Sequence, residues 1–163
     1  MDRAGVVWVA LAAVGLVLAG YLLVQAGVVS APWTEEQATV SVLDDEDEPK
    51  AVVDADVADT WAERYTGLSD HDSLEPGEGM LFVHGSEDDR TYVMREMEFD
   101  IDIIFIDADR EITAIEHARA PGPDEDGDDL RYTGRAKWVL EVPRGYANET
   151  GMATGDSVEI EYE

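Results

Sequence analysis

The stretch from Tyr92 to Ile115 constrains this chain most. Ile101, Ile103, Ile104, Phe105 and Ile106 form an apolar, β-branched and aromatic run too short for a typical helix. Such a run marks a strand covered on one or both faces. Asp107-Ala108-Asp109-Arg110 supplies turn chemistry, and on the return Ile112 and Ala114 alternate with Thr113 and Ile115. The stretch predicts a buried β-hairpin around which the folded part is organised. A hairpin fixes an architecture and names no reaction.

The flanking sequence extends this pattern. Ala51 to Val57 places Val53, Ala55 and Val57 against Asp54 and Asp56, the period of a half-buried strand. Thr60 and Glu63 form a Thr-x-x-Glu capping box, which predicts a short helix stopping at Gly67 in a left-handed cap. Pro76-Gly77-Glu78-Gly79 turns into the apolar strand Met80 to Val83, and Gly85 to Asp89 reads as a further turn. Trp138, Leu140 and Val142 alternate with Lys137, Val139 and Glu141 in a strand closed by Pro143. A second short helix, Arg144 to Thr150, ends at Gly151, and Val158, Ile160 and Tyr162 alternate with acids in a last strand. The expected fold is therefore mainly β, a small sandwich or barrel-like domain with two short helices.

An N-terminal transmembrane helix is expected ahead of this domain. Gly5 to Val29 is 25 residues interrupted only by Gln25 and Tyr21. As a helix it would span about 37 Å, more than the roughly 30 Å hydrocarbon core of a bilayer. Trp8 and Trp33 lie where interfacial aromatics belong. A cleaved signal peptide would have a shorter apolar region; Val29-Ser30-Ala31 loosely fits a cleavage site, but Pro32 is a poor residue after one. Arg3 is the only base before the segment and Lys50 the first after it, which orients the N-terminus inside. The expected organisation is a membrane anchor over 1–33, an acidic tether over 34–49 with Thr39 to Leu43 as an optional strand, and a mainly-β domain over 50–163. The expected location is the cell membrane, single-pass, with the domain extracytoplasmic.

Charge narrows the partners. The chain carries 38 Asp and Glu against 11 Lys and Arg, a net charge of -27, and only Lys50 and Lys137 are lysine. Residues 50–163 alone carry -20, so the acidity covers the whole surface rather than one tail. Such a surface suits concentrated salt, where screening shortens to about 3 Å at 1 M. It also makes nucleic acid a poor partner, because a phosphate backbone needs a basic footprint. There is no cysteine, which excludes disulfides, thiolate metal sites and cysteine nucleophiles.

In order, Val57-Ala58-Asp59-Thr60, Glu63-Arg64, Gly67-Leu68, Gly79-Met80-Leu81-Phe82-Val83, Tyr92-Val93-Met94-Arg95, Asp102-Ile103-Ile104-Phe105-Ile106-Asp107, Trp138-Val139-Leu140-Glu141-Val142-Pro143-Arg144-Gly145 and Gly155-Asp156 resemble the family called domain of unknown function 192. The resemblance covers about Ala51 to Glu163. It implies a small, mostly β domain, often behind a signal peptide or membrane segment, with no established enzymatic activity to carry over. Where that family usually has Lys-Asn-Thr and later a proline, this chain has Arg95, Glu96, Met97 and Asp100. A cysteine pair common in the family's long loop is replaced by Asp and Gly.

No catalytic motif stands out. His71, His84 and His117 show no metal-ligand spacing, and Asp124 to Arg135 fails the calcium-loop pattern because its glycine comes fourth and position twelve is Arg135. No metal or cofactor is expected. Five residues make the candidate ligand site: Met94, Arg95, Asp102, Trp138 and Glu141. Arg95 on a strand beside Trp138 would hold a carboxylate or sugar hydroxyl, with Asp102 accepting from it. The competing reading pairs Arg95 with Asp102 structurally and buries Met94 and Trp138 in the core. The functional expectation is a binding module for a small molecule, glycan or protein; the alternatives are a cell-envelope hydrolase or metal-dependent enzyme, and a structural or assembly protein.

Overall fold

The computed structural model describes residues 36–163. The expected membrane anchor at 1–33 lies outside the described residues. Among the described residues, no helix is long and apolar enough to cross a membrane.

Seven strands form one sheet: β1 Gln37–Leu43, β2 Pro49–Ala58, β3 Glu78–Val93, β4 Ile101–Ile106, β5 Ile112–Ala118, β6 Arg131–Pro143 and β7 Ser157–Tyr162. Their order is β5-β4-β6-β3-β2-β1-β7. Every neighbouring pair is antiparallel except β2 with β3. Parallel neighbours need a crossover. Here it carries α1, Trp61–Thr66, and a 3-10 turn, Gly67–Asp70. A second helix, α2, spans Tyr146–Thr150 between β6 and β7. The sheet curls until its edge strands meet: Glu111 bridges Ser157, Gly155 N–H donates to the Ile112 carbonyl at 2.8 Å, and Val158 N–H donates to Arg110 at 2.8 Å. The choice between sandwich and barrel thus resolves toward a barrel-like closure.

Alternation along the strands builds two cores. One face of all seven strands contributes to the first, with Val40, Val53, Leu81, Ile104, Ile112, Leu140 and Val158, and α2 adds Ala147. The outer face of the β3, β4 and β6 region builds the second from Phe82, Ile101, Ile103, Phe105 and Val139. Leu68, Met94 and Met97 cover it. All six residues of β4 are buried, so of the two alternatives, one covered face or both, the run from Ile101 takes the second.

Three expectations change. The tether expected over 34–49 is, from Gln37 onward, a strand and a turn. β1 pairs with β2 on one side and β7 on the other, and Ala38, Val40 and Val42 are buried. The acidic run after it makes the hairpin turn, because Asp44 Oδ1 accepts from the backbone N–H of Glu46 at 2.8 Å and of Glu48 at 3.0 Å. Gly85 to Asp89 does not end a strand but is an irregularity inside β3, across which the partner of Val83 is Trp138 and the partner of Asp88 is Ala136. Tyr92 and Val93 accordingly close β3 rather than open the hairpin, which is β4 with β5. Gly67 does stop α1 at a positive φ of 52°, but its ψ of -137° is not the left-handed helical cap. Only glycine takes that conformation freely.

Candidate functional site

The five predicted site residues do not converge. On β6, Trp138 and Glu141 are three residues apart and therefore face opposite sides of the sheet. On β4, Asp102 shares the inner face with Ile104 and Ile106. Arg95 lies in the turn after β3, not on a strand, and its ion partner is Asp128 at 3.4 Å, not Asp102. Its guanidinium also lies 4.3 Å from the centroid of the Tyr65 ring. Met94 is fully buried in the second core. Trp138 belongs to the first core, where its Nε1–H donates to the Tyr162 hydroxyl at 3.2 Å and Lys137 and Arg110 lie over its ring. These two residues follow the packing alternative weighed from the sequence.

Asp102 is a keystone of the barrel end. It has no exposed surface, and Oδ2 accepts from the backbone N–H of Gly145 at 2.9 Å and of Ala147 at 3.1 Å. These are otherwise free donors at the start of α2, so the carboxylate fixes the helix against the sheet. Oδ1 meets His117 Nδ1 at 2.6 Å. The register explains the pair, since Asp102 and His117 stand directly opposite across β4 and β5. An aspartate amid isoleucines in a covered strand requires a partner, but the sequence does not name His117.

Arg95 and Glu141 do share a site. A cleft of about 350 Å³ opens between the outer face of the sheet and the crossover carrying α1. Arg64 and Tyr65 of α1, His84, Arg90 and Tyr92 of β3, Arg95, and Glu141 of β6 line it. Glu141 is 5% exposed, and burial alone, with no offsetting charge or hydrogen bond, pushes its carboxyl up to about 8. At neutral pH it is largely protonated, and so able to donate as well as accept. His84 Nε2 and the Tyr92 hydroxyl share a hydrogen bond of 3.0 Å. Burial first, then the charges of Arg90 and Arg64, lower the His84 imidazole to about 4, which leaves it neutral. The Tyr92 phenol is shifted upward by burial and by Glu141.

The cleft therefore has a floor of neutral donors and acceptors and walls carrying three of the nine arginines of the chain. Asp89 is its other lining acid. Two of the arginines are fixed by backbone carbonyls: Arg64 Nη1 donates to Val83 at 2.9 Å, and Arg90 Nη2 to Ser86. A concentration of positive charge on a molecule of net charge -27 defines a local electrostatic focus. Among the described residues, no group of three His, Asp or Glu stands where it would hold a metal ion.

The family model described as uncharacterized ACR, domain of unknown function 192, matches residues 42–160. The chain belongs to this family. The match begins within β1, in keeping with the place of that strand inside the sheet. Two crystal structures share the fold. A protein of unknown function from Novosphingobium aromaticivorans DSM 12444 is 30% identical, with a TM-score of 0.66 over 80% of this chain and 91% of its own. A protein from Sinorhizobium meliloti 1021, described as a candidate transcription regulator, is 21% identical, with a TM-score of 0.69 over 79% of this chain and 97% of its own. No protein of curated function matches the chain. The segment Arg95-Glu96-Met97 contributes Arg95 and Met97 to the cleft wall.

Proposed function

We propose that the domain is a binding module held on the outer face of a cell membrane and that it takes up a small polar ligand in the Glu141 cleft. The observation that carries this reading is the Glu141 carboxyl, buried without a partner and facing the cleft. A polar group desolvated in this way costs stability unless something pairs with it. A group kept at that cost at the floor of a cleft is a recognition group. The arginine walls favour a ligand with an anionic substituent. The apolar segment Gly5 to Val29 supports the tether, and the acidic surface supports a saline exterior.

A second reading rests on the same residue. A carboxyl protonated at neutral pH is what a general acid requires, so the cleft would also suit a hydrolase, with Asp89 as the other lining acid.

A thermal-shift panel on the full chain in molar KCl, using small carboxylates, phosphate and sugars, tests the binding reading. A ligand at 100 times its dissociation constant adds about 2.7 kcal/mol to the folded state. The expected result is a saturable shift that disappears in Glu141→Leu and Arg90→Ala. A flat panel with a well-folded protein would overturn the reading. Conversion of a bound ligand to product would move the hydrolase ahead.

A further inference from the structure

We infer, resting on the reading of the Glu141 cleft as a ligand site, that its ligand is a small hydroxy acid, with a single carboxylate held by Arg64 and Arg90 beside the irregularity of β3 and a hydroxyl at Glu141. The irregularity is the starting point. Val83 pairs with Trp138 and Asp88 with Ala136, so His84 to Glu87 fill an interval in which β6 has only Lys137. An interval of this kind leaves backbone groups outside the ladder. The carbonyls of Val83, at its edge, and Ser86, within it, accept from the two arginines. Arg64 Nη1 donates to Val83 at 2.9 Å and also to Asp59, while Arg90 donates through Nη2 to Ser86 and through Nε to Ala136 at 3.5 Å. Two N–H donors of each guanidinium are committed in this way and the others are free. Among the described residues neither arginine pairs with a carboxylate, on a chain that carries 38 acids.

These guanidiniums mark one end of the cleft, where both act on His84. Arg95 is already engaged by Asp128 and by the Tyr65 ring, and the lining Asp89 offsets one more charge. One positive charge is left unanswered, which suits a monoanion. A carboxylate accepts from planar guanidinium forks in pairs. Glu141 marks the other end. It is buried, and no cation offsets that burial. A second anionic group placed there would be desolvated without a partner. A neutral hydroxyl finds in a protonated carboxyl both a donor and an acceptor. The Tyr92 phenol is raised by burial and by Glu141 and lowered by Arg64 and Arg90, so it lies within reach of both ends. Phe82, Met97 and Ile101 add apolar lining for a carbon skeleton. The cleft lies near the lower end of ligand pockets, which run from about 300 to 1,000 Å³. It has room for a small acid.

Isothermal titration of the full chain in molar KCl at pH 7 with 3-hydroxybutyrate, butyrate, 1,3-butanediol, succinate and inorganic phosphate tests the assignment. The hydroxy acid is expected to saturate the site. Butyrate, which lacks the hydroxyl, and butanediol, which lacks the charge, should each bind at least tenfold more weakly, as should succinate with its second charge. Arg64→Lys and Arg90→Lys keep the charge and lose the fork, and each should weaken the hydroxy acid and butyrate alike. Glu141→Leu should reduce the hydroxy acid to the level of butyrate and leave butyrate unchanged, while Glu141→Gln retains the hydroxy acid; melting curves verify that each variant is folded. Butyrate, succinate or phosphate binding as tightly as the hydroxy acid would overturn the assignment. If that binding were lost in Glu141→Leu, the cleft reading would stand. Hydroxy-acid binding indifferent to Glu141→Leu would overturn both. Binding of no titrant would overturn the hydroxy acid, and the cleft reading would then stand or fall with the wider thermal-shift panel.

Discussion

Replacing Glu141 with Gln isolates the cost of a lone buried carboxyl. The side chain is 5% exposed, and burial raises its pKa from 4.5 to about 8. The folded state thus holds a proton that the unfolded chain releases. The stability contributed by the protonated form is complete below pH 4.5 and is lost as pH rises through 8. Over that window the loss accrues at about 1.36 kcal/mol per pH unit, and the gap amounts to up to about 5 kcal/mol. Glutamine has the same shape and no proton to lose. Urea unfolding of wild type and Glu141→Gln, at constant molar KCl from pH 4.5 to 9, measures the difference between them. It should be small at pH 4.5 and grow by several kcal/mol toward pH 8.5, with the variant the more stable protein at high pH. A difference that does not change with pH would refute the claim that the carboxyl is buried and unpartnered. It would also remove the observation on which the ligand reading rests.

Asp102→Ala strips the acceptor from the N–H groups of Gly145 and Ala147 and the partner from His117. It should cost about 3 kcal/mol, with the α2 amides losing hydrogen-exchange protection first. The His84 imidazole, lowered to about 4, should show no titration in NMR spectra between pH 8 and 5.5. Because its folded pKa lies below the ordinary imidazole value of 6.5, its contribution to stability is present above 6.5 and lost as pH falls through 4. The melting temperature should fall as KCl drops from 1 M to 0.1 M, where the screening length grows from about 3 to about 10 Å around a surface of net charge -27; unchanged melting would sink the salt-adaptation reading. Gly127→Ala would drive a Cβ into the Met94 carbonyl and should unseat the segment covering the second core, seen as a loss of cooperativity in thermal unfolding.

Much of the fold was legible because it rests on local physics. The apolar run from Ile101, broken only by Asp102, reads as a strand covered on one or both faces, and both are buried. Thr60 with Glu63, and Gly151 at a φ of 74°, mark helix ends by hydrogen bonds and backbone sterics that reach only a few residues. β1 was harder to see, since Gln37 to Leu43 sits among acids and its burial depends on β2 and β7. The candidate site was half legible. Arg95 and Glu141 were named, but as partners of Trp138 and Asp102, which face the other side of the sheet or pack into a different core.

The sequence by itself determined the strand-rich pattern, the helix caps, the family, and a surface charge that disfavours nucleic acid. The pattern, the caps and the charge follow from composition or from contacts within a few residues; the family follows from ordered motifs along the chain, matched over residues 42–160. Tertiary structure alone decided which side chains meet. Strand register set Asp102 opposite His117, and the parallel crossover from β2 to β3 carried α1 over the outer face of the sheet. That crossover placed Arg64 and Tyr65 beside Glu141, and the turn after β3 added Arg95. A carboxyl's proton affinity depends on how much water the fold removes and on which charges it brings close. For Glu141 burial alone acts, and it comes from cleft-lining residues far away in the chain.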